Sequence, residues 1–150
     1  MKLAELREYG RKFLRLVSPP RRFGLKMSHF TTINLPTFSE ARGALTVLEN
    51  KLPFPVVRMY WIYGADGQTR GGHRHSHTRQ ALISISGVID VYMNDGVVTE
   101  TIILDSPAKC LLVEPKDWHT MKFSKNSVLL VLSSHSYDRS EYIDTPYELN

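Results

Sequence analysis

The sequence holds a single cysteine, Cys110, among 150 residues. An internal disulfide framework is therefore excluded, and so is a zinc site built from several thiolates. Also missing is any apolar run near the roughly 20 residues that a membrane-spanning helix needs. No apolar stretch follows Met1-Lys2, so no secretory signal is expected and a cytoplasmic location is the default. Internal repeats and low-complexity tracts are absent as well. What is present is globular: 42% hydrophobic and 23% charged residues, in a length that suits one domain with one core.

The charge is unevenly spread. Net charge is +4. Residues 1–28 carry eight basic residues against only Glu5 and Glu8, a segment at +6, so the remaining body is at −2. A nucleic-acid binder is disfavoured, because the basic residues are not interleaved with a recognisable reading motif. Leu3, Leu6, Phe13, Leu14 and Val17 recur at helical spacing over residues 2–17, and Ser18-Pro19-Pro20 ends the pattern. The first 28 residues therefore read as a basic, short helical extension, docked on the body or frayed; contact with an anionic membrane surface is the other option for such a helix.

Residues 29–150 read as the main domain, and their signal is β. Pro55–Tyr63 is rich in β-branched and aromatic residues, and Ala81–Met93 alternates apolar and polar residues around Gly87. Asn94-Asp95-Gly96 marks a hairpin turn, since these residues tolerate positive φ. Further short strands are expected at 97–104, 110–114, 118–123 and 127–132. Many short strands separated by turn signals predict an all-β sandwich or barrel.

Three of six histidines fall in one window, Arg70-Gly71-Gly72-His73-Arg74-His75-Ser76-His77. In an extended strand His73, His75 and His77 share a face. Gln80 and Gly87 follow, and a fourth histidine sits in Pro115-Lys116-Asp117-Trp118-His119. This order resembles the double-stranded β-helix of the cupins, whose two motifs face the barrel interior. Two chemistries fit. Imidazoles on facing strands can bind a divalent metal. Gln80, however, stands where many metal cupins carry a glutamate, and amide oxygen is a poorer ligand. That favours acid–base work by the imidazoles, whose ordinary pKa near 6.5 suits proton abstraction and return. A metal-dependent cupin enzyme and a non-catalytic nucleotide-sugar-binding cupin stay as alternatives.

A narrower resemblance covers about residues 30–147. Arg70-Gly71-Gly72-His73-x-His75, Gln80 to Gly87, Asn94-Asp95-Gly96, Leu52 to Tyr63, Trp118-His119, Ser136-Tyr137-Asp138 and Tyr142-Ile143 resemble the WxcM-like sugar 3,4-ketoisomerases, which act on dTDP-4-keto-6-deoxyglucose. The resemblance implies an isomerase that moves a ketone from C4 to C3 through an enediol. It needs no redox cofactor and no metal. It implies that His73 is the base, that His75 relays a proton, and that Tyr60 and Arg70 meet the developing enediolate. Arg42, Arg58, Arg70 and Arg139 are the cation candidates for the diphosphate, with Gln80 and Trp118 also binding substrate. Arg42 in Glu40-Ala41-Arg42-Gly43, together with Trp118-His119, resembles the branch giving a galacto-configured 3-keto product, with His119 returning the proton at C4. A homodimer with an exchanged N-terminal strand is implied too, as is a place ahead of an aminotransferase and an acetyltransferase in making 3-amino-3,6-dideoxy sugars for surface polysaccharide (O-antigen, lipopolysaccharide or S-layer glycan). Two departures stand out: the additional His77, and Asp144 in place of an expected basic residue, which removes one phosphate contact.

Overall fold

The computed structural model describes residues 29–148. The helix expected over 2–17, and the whole 1–28 extension, lie outside the described residues. Within 29–148 the chain makes twelve strands: β1 (Thr32–Asn34), β2 (Thr37–Glu40), β3 (Gly43–Thr46), β4 (Arg58–Ile62), β5 (Thr69–His75), β6 (Gln80–Ser86), β7 (Ile89–Asn94), β8 (Thr99–Leu104), β9 (Lys109–Val113), β10 (Trp118–Phe123), β11 (Val128–Ser133) and β12 (Tyr142–Ile143), with one 3₁₀ turn at Arg139–Glu141. No helix among the described residues is long and apolar enough to cross a membrane.

The strands form two five-stranded antiparallel sheets, β1-β9-β6-β11-β4 and β12-β5-β10-β7-β8, with β2 and β3 a separate hairpin. From β4 to β12 the chain crosses from one sheet to the other at every connection except the β7–β8 hairpin. Sequence neighbours thus end up on opposite walls of one interior. The hairpin forms at the expected Asn-Asp-Gly turn, where the Asp95 carboxylate accepts from the Val97 and Val98 amides. Ala81–Met93 is not one strand. Gly87, at φ +68°, turns the chain from β6 in the first sheet to β7 in the second, and a Cβ there would stand 2.7 Å from Ser127.

Alternation does the rest. Leu82, Leu111, Val113, Leu129 and Val131 of the first sheet pack against Ile89, Val91, Met93, Leu104, Met121 and Phe123 of the second, and these residues are buried. The outer face of the first sheet is only partly covered. Leu35, Ala81, Ile83, Cys110, Leu112 and Leu132 pack under Leu48, Leu52 and Phe54. Farther along, Met59, Trp61 and Tyr63 of edge strand β4 and the segment after it stay exposed. The apolar filling of the interior stops toward one end of the barrel, and there polar side chains take over.

Candidate active site

At that end lies a cavity of about 420 Å³, within the usual range for small-molecule sites. Its two walls come from the two sheets. On the first, β4 contributes Arg58, Tyr60 and Ile62, β6 contributes Gln80 and Leu82, and β11 contributes Val131. The register explains the set: Tyr60 and Leu82 both lie opposite Val131, while Arg58 and Gln80 both lie opposite Ser133. Residues directly opposite across a ladder share a face. The Gln80 amide donates to the Tyr60 hydroxyl at 3.1 Å, leaving the phenolic hydrogen free to point elsewhere. Burial is the main cause that lifts the Tyr60 pKa above the ordinary phenol value, so Tyr60 stays a protonated donor.

The second wall carries imidazoles. His119 of β10 lies opposite His73 of β5. Ring centroids stand 4.9 Å apart for His73–His75, 5.3 Å for His73–His119 and 6.4 Å for His75–His119. His75 and His119 are almost fully buried. Desolvation is the largest cause lowering all three pKa values, to about 3 for His75 and about 4 for His119, and for those two neighbouring imidazoles add to it. At neutral pH these are free bases. The Nδ1 of His119 lies 3.1 Å from the Asp117 carbonyl oxygen, a contact that only an Nδ1–H can satisfy, so Nε2 keeps its lone pair. Neither ring nitrogen of His75 has a hydrogen-bond partner among the described residues, though both are buried.

Arg70 reaches the cavity by an irregularity. Three residues before His73, it would face outward on a regular strand. Between His119 and Thr120 the β5–β10 register slips: His119 is opposite His73, but Thr120 is opposite Gly71. Gly72 is the additional residue, and Gly71 and Gly72 take φ of +87° and +77°. This bulge turns Arg70 back to the cavity side, where it lines the pocket beside Gly71 and His73. A Cβ on Gly71 would meet the His119 carbonyl oxygen at 2.8 Å, so the close approach of β5 to β10 requires glycine there.

The remaining expected residues separate. Arg42 sits at the tip of the exposed β2–β3 hairpin, paired with Glu40, outside the cavity. Trp118 precedes His119 in the same strand and therefore faces the other side of the sheet, edge-on to Tyr92 at 6.2 Å. Arg139 pairs with Asp144 and lies 5.2 Å from the Tyr142 ring, beside the cavity rather than in its lining. Asp144 thus has a structural partner. His77 does not share the face of His73 and His75, because β5 ends at His75; His77 is exposed and bonds to Glu141. Tyr137 and Tyr142, quoted above only for the resemblance, do line the cavity. Among the described residues, no three His, Cys, Asp or Glu side chains are placed to hold a metal ion.

The family model described as FdtA: WxcM-like, C-terminal matches residues 28–149. The chain belongs to this family. Among FdtA/WxcM-like relatives, the TDP-4-oxo-6-deoxy-alpha-D-glucose-3,4-oxoisomerase of Aneurinibacillus thermoaerophilus is 40% identical over 115 residues, covering 74% of this chain and 83% of its own. The WlaRB TDP-quinovose 3,4-ketoisomerase of Campylobacter jejuni superposes with TM-score 0.74 at 36% identity, over 79% of this chain and 95% of that one. A mutant of the 3,4-ketoisomerase QdtA from Thermoanaerobacterium thermosaccharolyticum, solved in complex with TDP-4-keto-6-deoxyglucose, gives TM-score 0.74 at 31% identity, over 79% and 90% of the two chains. The all-β, antiparallel architecture of this FdtA/WxcM-like chain is thus that of the cupin-like ketoisomerases.

Proposed function

We propose that this protein is a 3,4-ketoisomerase of dTDP-4-keto-6-deoxyglucose, forming a dTDP-3-keto-6-deoxyhexose by histidine acid–base catalysis. The observation that carries the reading is the pairing of a free-base wall with a donor wall across one cavity. His73 removes the C3 proton, and the electron pair moves to give a 3,4-enediolate with charge on O4. Tyr60, kept protonated by burial and steered by Gln80, donates to O4, with the Arg70 guanidinium adding charge stabilisation. The O3 hydroxyl then gives up its proton as the C3 ketone forms, and C4 receives one. His75, against the His73 ring, relays protons within the imidazole set. The oxidation at C3 balances the reduction at C4, so no external electron acceptor enters.

His119 is placed here as the group that, once protonated, returns the proton at C4 and sets the galacto configuration. Its support is its position in the cavity wall beside His73. Arg58 and Arg70 are the diphosphate cations within the cavity lining, and Arg139 stands beside it. A homodimer is proposed as well, in which a partner covers the exposed Met59, Trp61 and Tyr63 face, with residues 29–150 as the catalytic domain. The 3-keto product suits a following transamination.

The deciding experiment incubates purified protein with dTDP-4-keto-6-deoxyglucose in deuterated water. NMR should show deuterium at the reacting carbon and a 3-keto product whose C4 configuration is read from ring couplings. Neither exchange nor product would sink the reading, while a gluco-configured product would overturn only the assignment of His119.

A further inference from the structure

Tyr142 carries no role in the proposed reaction, yet its position is unusual. It belongs to β12, a two-residue strand at the edge of the second sheet, and lies directly opposite His75. Residues so paired present their side chains on one face. The Tyr142 ring accordingly contacts both imidazoles of β5, with centroids 4.5 Å from His73 and 4.7 Å from His75. It also meets Tyr137 at 5.9 Å and the Arg139 guanidinium at 5.2 Å. The half-buried Tyr142 lines the cavity beside His73 and packs on both imidazoles.

The segment that holds it there is tied down on both flanks. Glu141 accepts from the His77 and Thr78 amides, from the Thr78 hydroxyl and from the His77 ring, while its own carbonyl accepts from the Ser76 amide. Arg139 and Asp144 pair across Tyr142. The Asp138 carboxylate caps the 3₁₀ turn through Ser140. Fixing so short an edge strand with this many polar contacts costs chain entropy that the strand's own ladder does not repay.

We propose that Tyr142 is a positioning residue for the isomerisation, its ring capping the His73–His75 pair and keeping water off both imidazoles so that they act as free bases. This rests on the acid–base role proposed above for His73. The charged and titratable groups around the pair come from every neighbouring element: Arg58 and Tyr60 from β4, Arg70 from β5 itself, His119 from β10, and Arg139, Glu141 and Asp144 from the terminal segment. Their effects on the two histidines oppose one another. Asp144 raises the His73 pKa and Arg139 lowers it, while the His73 and His119 imidazoles and Arg58 lower that of His75 and Glu141 raises it. Burial is the largest cause for each, and the Tyr142 ring packs against both, at shorter centroid distances than the His119 ring does.

The test is an NMR titration of the full chain labelled with ¹⁵N-histidine, with His73 and His75 assigned from His73→Asn and His75→Asn spectra. In Tyr142→Phe, which keeps the ring, both imidazoles should titrate as in the parent protein, below 6.5. In Tyr142→Ala both titrations should move up toward 6.5, and the acid limb of the kcat/KM profile should move up with them. Unchanged titrations in Tyr142→Ala overturn the proposal. So does Tyr142→Phe shifting them as far as Tyr142→Ala, because the hydroxyl and not the cover would then be responsible. The titration does not depend on turnover, so a parent protein that fails the isomerase assay would count against the function and leave the cap to be judged by its own readout. A preserved backbone spectrum away from β12 shows that the Tyr142→Ala barrel is folded.

Discussion

The two walls of the cavity are built alike and equipped differently. Each is the inner face of a five-stranded antiparallel sheet, and each gives way from apolar to polar residues at the same end of the barrel. The first wall offers hydrogens from Arg58 and Tyr60, while the second carries the bases His73 and His119, with His75 against the His73 ring, and one donor of its own, Arg70. Burial acts on both in the same sense, against charge. On a phenol that preserves a proton, and on an imidazole it removes one. One physical cause thus prepares an acid on one side and bases on the other.

The sharpest way to break this pairing is to remove the base. His73→Asn should lower turnover by about 10²–10⁴, the span of general-base catalysis, while leaving the melting temperature close to that of the parent. Tyr60→Phe removes the facing donor and keeps the ring. It should lower kcat by about 10²–10³ with little change in KM, as for a donor used mainly in the transition state. If the two variants proved equally slow at exchanging the C3 proton but differed in product formed from exchanged material, the walls would have separable roles.

Registration of the walls depends on the Gly71-Gly72 bulge, which aims Arg70. Gly71→Ala adds a methyl at 2.8 Å from the His119 carbonyl and strains φ, so a destabilisation of about 3 kcal/mol or more is expected with a matching fall in activity. Gly72→Ala meets nothing within 4 Å and should cost only the backbone strain, about 1–2 kcal/mol. Paired thermal melts check the order.

The base wall should also be visible in stability against pH. His75 and His119 have folded pKa values of about 3 and 4, below the ordinary value near 6.5. Below pH 6.5 the unfolded chain binds protons that the folded chain refuses, so stability falls as pH drops from about 6.5 toward 4. Asp117 works the other way: burial raises its carboxyl to about 6, so it favours the folded state as pH falls through 6. Each buried imidazole is worth about 3 kcal/mol at the acid end. Urea midpoints measured from pH 8 to pH 5 should decline, and His119→Phe should decline less steeply.

Much of this was legible in the sequence. Strands β6 to β11 follow their apolar alternation, and the two histidine motifs meet on neighbouring strands of one wall, facing Tyr60 and Gln80 on the other. The failures are local. Thr37–Glu40 and Gly43–Thr46 have weak strand composition and form an exposed hairpin, so Arg42 at its tip had no visible address. Arg70 reaches the cavity through a bulge that breaks the period of two. His77 is lost because the strand stops at His75, and β12 is too short to announce itself.

The position of Trp118 outside the cavity is instructive, since its signal was available: adjacent residues of a strand cannot share a face. With His119 inside, Trp118 had to lie outside, beside Tyr92. The pair makes the smallest and cleanest contrast between what faces the cavity and what does not. Trp118→Phe keeps the aromatic contact and deletes an indole N–H that has no hydrogen-bond partner among the described residues. Turnover and KM should change less than about threefold, well under 1 kcal/mol of transition-state stabilisation. His119→Phe, one residue on, should change the C4 configuration or the rate. A larger kinetic effect from Trp118→Phe than from His119→Phe would mean that the outer face of this sheet meets the substrate, and that the inner cavity is not the reacting site.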